Sequence, residues 1–310
     1  MTSTTNHDGA NLGSHGHTTD DRNQGVLFDV NGALVPRERA VVSVFDSGFI
    51  LGDGIWEGLR LKDGHLSFLE RHLDRVFGGA RAIDLDIGLT RDELRARLLR
   101  VIEANGMTDG VHIRLMITRG EKATPYQDPR VVISPATIVI LAEYKNAGPE
   151  AFTKGLSLFT VHVRRGRPDV QDPKLNTHSK HNCIQACIQA TKAGADEALM
   201  LDPQGFVATC NSTHFFIVRG GEVWTSTGDY CLDGITRGAV IEAAERAGIT
   251  VRQRNFSLSD VYSADEAFVT GTYAGLTSVG SVDGRDFEGP FPGPMVARLT
   301  ALYQALAKES

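Results

Sequence analysis

Leu232-Asp233-Gly234-Ile235-Thr236-Arg237 runs without a break into Gly238-Ala239-Val240-Ile241-Glu242-Ala243-Ala244. A glycine-led turn that passes straight into an amphipathic helix leaves the first backbone N–H groups unpaired and aims the positive end of the helix dipole at one spot. An anion sits well there. The same residues also read as an ordinary helix start with Thr236 as its cap, and two other segments bear on the choice. Val269-Thr270-Gly271-Thr272 follows a strand pattern and offers hydroxyls beside a glycine that permits close backbone approach. Glu57-Gly58-Leu59-Arg60 sets a guanidinium after a glycine-rich run. Arginine binds phosphate oxygens through two parallel N–H bonds, and hydroxyls and amides supply further donors, so the three segments together read as phosphate chemistry.

Outward from these segments the chain alternates strand and helix patterns. Val26–Val30 and Val41–Phe45 read as strands. Leu69, His72, Leu73, Val76 and Phe77 make one helical stripe within Ser67–Ala82, and Thr90-Arg91-Asp92-Glu93 is a capping box opening a helix that stops near Gly106. Val111–Thr118 and Ala136–Tyr144 return to strand composition. The polar stretch Asn146-Ala147-Gly148-Pro149-Glu150 marks a linker. Beyond it come a strand at Leu156–Val163, a loop rich in Arg, Pro and Asp, a helix from about Lys180 to Ala193, strands at Glu197–Leu201 and His214–Val218, a helix at Arg237–Gly248 and a closing helix at Met295–Ala307. The pattern predicts an α+β (mixed α/β) fold in two domains. We assign residues 1–25 to a disordered tail poor in apolar side chains, 26–145 to a smaller N-terminal α/β domain, 146–155 to the linker and 156–310 to a larger C-terminal domain.

Composition narrows the function classes. The 310 residues carry a formal charge of −6 with no run of like charges, so a nucleic-acid footprint is not expected. Apolar residues make up 41% of the chain, yet no stretch approaches the 18 uninterrupted apolar residues of a membrane span. The N-terminal residues lack both the apolar core of a secretory signal and the Arg-rich pattern of a transit peptide, which points to the cytoplasm. Cys183, Cys187, Cys210 and Cys231 form no CxxC pair and suit reduced thiols. His15 and His17 lie in the tail and read as solvated.

The run Val44-Phe45-Asp46-Ser47-Gly48-Phe49-Ile50-Leu51-Gly52-Asp53-Gly54-Ile55-Trp56-Glu57-Gly58-Leu59-Arg60 resembles the N-terminal signature of the fold-type IV pyridoxal-phosphate enzymes. These are the class IV aminotransferases: branched-chain aminotransferase, D-amino-acid aminotransferase and aminodeoxychorismate lyase. Gly194-Ala195-Asp196-Glu197-Ala198, Gly234-Ile235-Thr236-Arg237 and Thr270-Gly271-Thr272 follow in the family's order, so the resemblance covers roughly residues 26 to 305. It implies a two-domain fold with pyridoxal 5′-phosphate in the crevice between the domains, usually in a homodimer whose partner helps wall the site. It also implies that Arg60, Ile235, Thr236 and Thr272 hold the cofactor phosphate, and that the protein transfers an amino group, or acts as a related lyase, on a small amino acid or amine.

The resemblance breaks at the reaction centre. Its Schiff-base lysine belongs twenty-one positions before Glu197, which is Asn176. Arg165 and Asp172-Pro173 keep the same register. Lys180 stands four residues further on; if the helix has begun by Asn176, the two side chains share a face about 6 Å apart along the axis, which makes Lys180 the expected catalytic lysine. Lys174 would point away. The carboxylate that keeps the pyridine nitrogen protonated falls on Thr209 of Thr209-Cys210-Asn211-Ser212-Thr213-His214, and a hydroxyl there is expected to bond a neutral ring and leave a weaker electron sink. His178, His181 and His214 flank the replaced groups as candidate proton shuttles. A metal on His178, His181 and Cys183 matches no strong ligand spacing, so none is expected. Arg114, in the strand pattern His112-Ile113-Arg114, is a candidate for the substrate carboxylate, with an outward strand arginine as the alternative. The segment Thr118–Arg130 lacks the Pro-Arg-x-His clamp of D-amino-acid aminotransferases. The alternative to an enzyme with atypical residues is an altered or inactive member that binds an anion or the cofactor without a Schiff base.

Overall fold

Asn31 and Gly32 both take positive φ, which a two-residue turn between right-twisted strands requires, and they close a hairpin of β1 (Leu27–Val30) and β2 (Ala33–Pro36). The computed structural model describes residues 20–147 and 153–310 and divides into two units. The first comprises Asp20–Lys145, Asp172–His181 and Ala305–Ser310. After the hairpin it adds α1 (Ser47–Leu51), β3 (Gly54–Lys62), β4 (His65–Leu66), α2 (Leu69–Ala82), α3 (Arg91–Ala104), β5 (Val111–Thr118) and β6 (Thr137–Tyr144). The strands form one antiparallel sheet in the order β2-β1-β6-β5-β3-β4. Alternation along β3 sends Ile55, Leu59 and Leu61 into a core shared with Leu73 and Val76 of α2 and Leu94 and Leu98 of α3. α3 opens on the expected capping box, with Thr90 and Glu93 bonding each other's backbone N–H.

Two expectations fail in this unit. Val41–Phe45 forms no strand: none of the described strands pairs with it, and Val41 stays 70% exposed. Residues 20–25, assigned to the tail, are ordered, because the Asn23 side chain exchanges two hydrogen bonds with the Tyr144 backbone at 2.9 and 2.8 Å. The remainder of the tail, with His15 and His17, and residues 148–152 of the linker lie outside the described residues.

The described part of the second unit comprises residues 146–147, 153–171 and Asn182–Gln304. Its elements are β7 (Leu156–Thr160), α4 (His181–Lys192), β8 (Glu197–Leu201), β9 (Val207–Cys210), β10 (His214–Arg219), β11 (Glu222–Thr225), α5 (Ile235–Arg246), β12 (Val251–Gln253), α6 (Leu258–Tyr262), β13 (Glu266–Gly271), β14 (Gly275–Val282), β15 (Arg285–Asp286) and α7 (Pro294–Lys308). The sheet runs β12-β11-β10-β13-β14-β7-β8-β9, with β15 on β14, and it mixes antiparallel pairs with the parallel pairs β11/β12, β14/β7 and β7/β8. Val269, Val279 and Ile217 pack on one face and Phe216, Phe268 and Leu276 on the other, where α5 and α7 cover them. The mixed α/β fold follows. The segment Asp172–His181 and the last six residues group with the first unit, although sequence patterning alone assigns them to the C-terminal part. No helix of the described residues is long and apolar enough to cross a membrane.

Candidate active site

In the second unit, the N-cap of α5 is Gly234, with no side-chain cap; Thr236 is a buried second helical residue and not the cap. The first intrahelical bond runs from Gly238 N–H to the Gly234 carbonyl at 2.8 Å. The N–H groups of Ile235, Thr236 and Arg237 therefore precede the helical ladder. Arg237 Nη2 donates to the Ser226 carbonyl at 2.6 Å and to Gln253 Oε1 at 3.1 Å, which ties this helix start to the sheet. A Cβ on Gly234 would stand 2.7 Å from His214 Nδ1 and 2.9 Å from Nε2, so only glycine lets the chain pass the imidazole. His214 Nε2 in turn meets the Leu232 carbonyl at 2.7 Å and holds the loop that leads into the helix. Directly opposite His214 on β13 is Thr270, fully buried, whose Oγ1 has no hydrogen-bond partner. Thr272 lies in the turn between β13 and β14. A buried hydroxyl without a partner costs free energy unless a ligand supplies one.

Nearby in this unit, Thr209 is buried and donates its hydroxyl proton to the Thr213 carbonyl at 2.8 Å. That corrects the expected role: the proton needed to bond a neutral ring nitrogen is already committed, and the oxygen remains as an acceptor. Thr213 Oγ1 donates to Glu197 Oε2 at 2.6 Å and Ser212 Oγ to Glu197 Oε1 at 3.2 Å. Burial pushes the Glu197 carboxyl up to about 7, aided by the Asp196 charge and opposed by these two hydroxyls. Cys210, beside it, is pushed well above the ordinary thiol range by burial and by the Glu197 charge. In the sequence Glu197 serves only as a register mark. A lone acidic residue in an apolar strand is the signal that could draw attention to it.

In the first unit, alternation puts Trp56, Gly58 and Arg60 on the β3 face away from the core. Arg114 pairs with Gly58 from β5, and its guanidinium carbon lies 3.7 Å from the Trp56 ring centroid. Burial lowers the Arg114 pKa, with the Glu57 carboxylate opposing. Arg60 Nη1 donates to the Lys145 carbonyl at 2.5 Å. Lys145 is half-buried, and burial, then the Arg114 charge, depress its pKa against Glu143. Lys180 Nζ stands 5.4 Å from the Trp56 ring, on the same aromatic side chain as Arg114.

The segment that carries Asn176 and Lys180 is not helical: it makes one bridge at Thr177 and bends at His178, and α4 begins only at His181. Ile55 and Thr177 form an antiparallel bridge, with Trp56 N–H bonding the Asn176 carbonyl and His178 N–H bonding the Gly54 carbonyl, both at 2.9 Å. The helical premise for Lys180 therefore fails. Asn176 and Lys180 therefore do not lie on successive turns of one helix. The glycines explain why the segment fits: a Cβ on Gly52 would meet Ser179 Oγ at 2.8 Å, and one on Gly54 would meet His178 Cδ2 at 2.7 Å.

Residues 54–282 match the amino-transferase class IV family model. The chain belongs to the class IV aminotransferases. It is 39% identical to Branched-chain-amino-acid aminotransferase-like protein 2 of Arabidopsis thaliana over 93% of its own length and 51% of that protein, so it spans about half the length of that relative. It is 37% identical to a putative branched-chain-amino-acid aminotransferase of Methanocaldococcus jannaschii, covering 89% of this chain and 94% of that one. Its fold superposes on the crystal structure of the branched-chain aminotransferase of Thermoproteus uzoniensis with norvaline with a TM-score of 0.82 at 28% identity, over 92% of this chain and 96% of that one. Class IV aminotransferases use pyridoxal phosphate. The uncapped α5 start and the Thr270 hydroxyl fit a phosphate.

Proposed function

We propose that this class IV aminotransferase binds pyridoxal 5′-phosphate and carries out an amino-group transfer, or a related lyase reaction, on a small carboxylated amine, with an altered reaction centre. The observation that carries this reading is the uncapped start of α5 facing a sheet whose Thr270 hydroxyl is buried without a partner. Ile235 and Thr236 present backbone N–H groups and Thr236 and Thr272 present hydroxyls for phosphate oxygens. Arg60 is proposed as an anion ligand in its own right, in the first unit. Arg114, held over the Trp56 ring, is proposed to receive the substrate carboxylate. Bound, the cofactor supplies an electron sink for the carbon that bears the amine. Thr209 offers the ring nitrogen an acceptor without charge, so it favours the protonated ring less than a carboxylate does.

Lys180 is the lysine proposed for covalent attachment. The non-helical backbone between Asn176 and Lys180 favours a second reading, in which the cofactor is held without a covalent bond. By likeness to the named relatives, branched-chain amino acids are the first donors to assay. The exposed apolar run Val41, Val42, Val44, Phe45, Phe49 and Leu51 supports a homodimer, and four free cysteines suit the cytoplasm.

Equilibrium dialysis against pyridoxal 5′-phosphate tests the cofactor reading. Saturable binding that weakens about tenfold or more in Thr236→Ala is expected. Binding indifferent to that substitution rejects the phosphate assignment at α5, and Arg60→Ala tests the first-unit anion ligand separately. Borohydride reduction followed by peptide mapping then separates the two readings: a label on Lys180 supports attachment, and tight binding without a label supports the non-covalent one.

A further inference from the structure

Ser278 of β14 is only 4% exposed, and its Oγ is a buried hydroxyl with no hydrogen-bond partner among the described residues. It stands directly across from Phe268 of β13, so alternation puts Ser278, Phe268 and Glu266 on one face of the second unit's sheet. α7 covers that face, where Phe268 packs with Val296 and Leu299. Glu266 receives the start of the helix: its Oε1 accepts from Met295 N–H at 2.9 Å and its Oε2 from Val296 N–H at 3.0 Å. A carboxylate has about four acceptor positions, so Glu266 keeps capacity for further donors.

A cavity of about 210 Å³ opens here, wholly within the second unit. Ser278, Glu266 and Val296 line it together with Phe287, Glu288 and Phe291 from the chain that follows β15. The orphaned hydroxyl therefore belongs to the wall of an open space and not to a closed core. The charges around that space have one sign. Asp265 also lines it, and among the described residues no lysine, arginine or histidine does. The start of α7 contributes about +0.5 of a charge against these three carboxylates, which leaves the cavity at about −2.5.

A carboxylate or phosphate ligand is repelled by that field. A metal ion suits the sign but not the layout, because among the described residues no three His, Cys, Asp or Glu side chains gather closely enough to hold one. Phe287, Phe291 and Val296 add apolar wall. A small organic ammonium ion answers every part: N–H donors for the Ser278 oxygen and the remaining Glu266 positions, a positive charge for the carboxylates, and an apolar body for the phenyl groups. The volume lies below the roughly 300–1,000 Å³ of sites for drug-sized ligands, so the amine is a small one.

We infer that this cavity binds a small monoamine that has no carboxylate, held by Ser278 and Glu266 in the field of Glu288. None of these residues belongs to the cofactor reading above, so the two stand or fall separately.

Ligand-observed NMR titration with benzylamine, benzyl alcohol and benzoate tests the site, since the three share a ring and differ in charge. Wild-type protein is expected to bind benzylamine at least about tenfold more tightly than the alcohol and to show no saturable binding of benzoate. Glu288→Gln, at an exposed position, is expected to weaken the amine about threefold while leaving the alcohol within about twofold. Ser278→Ala is expected to weaken the amine about fivefold and, without ligand, to unfold at a temperature at least as high as wild type, because an unpartnered buried hydroxyl is gone. Equal affinity for amine and alcohol in the wild type overturns the ammonium site and marks a cavity filled by water, whether or not either variant folds. No saturable amine binding up to about 20 mM overturns it as well. Amine binding that survives both substitutions places the amine elsewhere and also overturns it.

Discussion

Glu197 is a carboxyl held in apolar strands by two hydroxyls, and its pKa of about 7 has a consequence for stability. The group ionises near 4.5 when exposed, so between that pH and about 7 the native protein binds more protons than the unfolded chain. Stability therefore falls as pH rises through this window, and above it the loss is constant at about 3 kcal/mol. Glu197→Gln keeps an acceptor oxygen for one of the two hydroxyls, turns an NH2 donor to the other, which can accept it, and has no charge to bury. Urea unfolding is expected to show the variant more stable than wild type at pH 8, by on the order of 2 kcal/mol, and without that advantage at pH 4.5. A difference independent of pH would refute the buried ionisation. Glu57 shows the contrasting case: burial alone would raise it, yet His72 at 2.6 Å and Arg75 at 2.7 Å hold it below the ordinary carboxylate range.

The start of α5 works as an element because three parts constrain it: Gly234, the imidazole of His214 beneath it, and Arg237 bonded to Ser226. Gly234→Ala places a methyl group inside contact distance of the His214 ring, and one of them must move. The variant is expected to lose about 1–3 kcal/mol in thermal or urea unfolding and to bind pyridoxal 5′-phosphate less tightly. Combining it with His214→Ala tests the cause. The double variant is expected to be less destabilised than the two single losses added together, since removing the ring removes the clash. Strict additivity would show that the glycine serves a purely conformational purpose. The same logic of close approach runs along Gly52 and Gly54, whose missing side chains admit Ser179 and His178.

At the scale of the whole molecule, the exposed apolar residues are concentrated on a short run of the first unit, where Phe49 is 72% exposed and Val41 70%. Patches of this kind on soluble proteins mark association surfaces. Phe49→Glu is expected to shift the proposed homodimer to monomer in size-exclusion chromatography with light scattering, because a buried unpaired carboxylate opposes assembly. A wild-type monomer at micromolar concentration would refute the homodimer.

Much of this protein was legible in contiguous residues. The Thr90 capping box, the period of α2, the strands Val111–Thr118 and Glu197–Leu201, and the glycine-led entry to α5 are all encoded within about a dozen positions, because helix caps, side-chain periodicity and tight turns depend on near neighbours. Val41–Phe45 misled for the same reason: its β-branched composition is local, while the absence of a pairing strand is not. Only the tertiary structure decided that Asn176 lies in non-helical chain bonded to Trp56, 120 residues away, that the Thr270, Asn176 and His178 atoms lack partners, and that Glu197 is charged only with difficulty. Those properties depend on what surrounds a side chain once water has left, and its surroundings come from residues far apart in the chain.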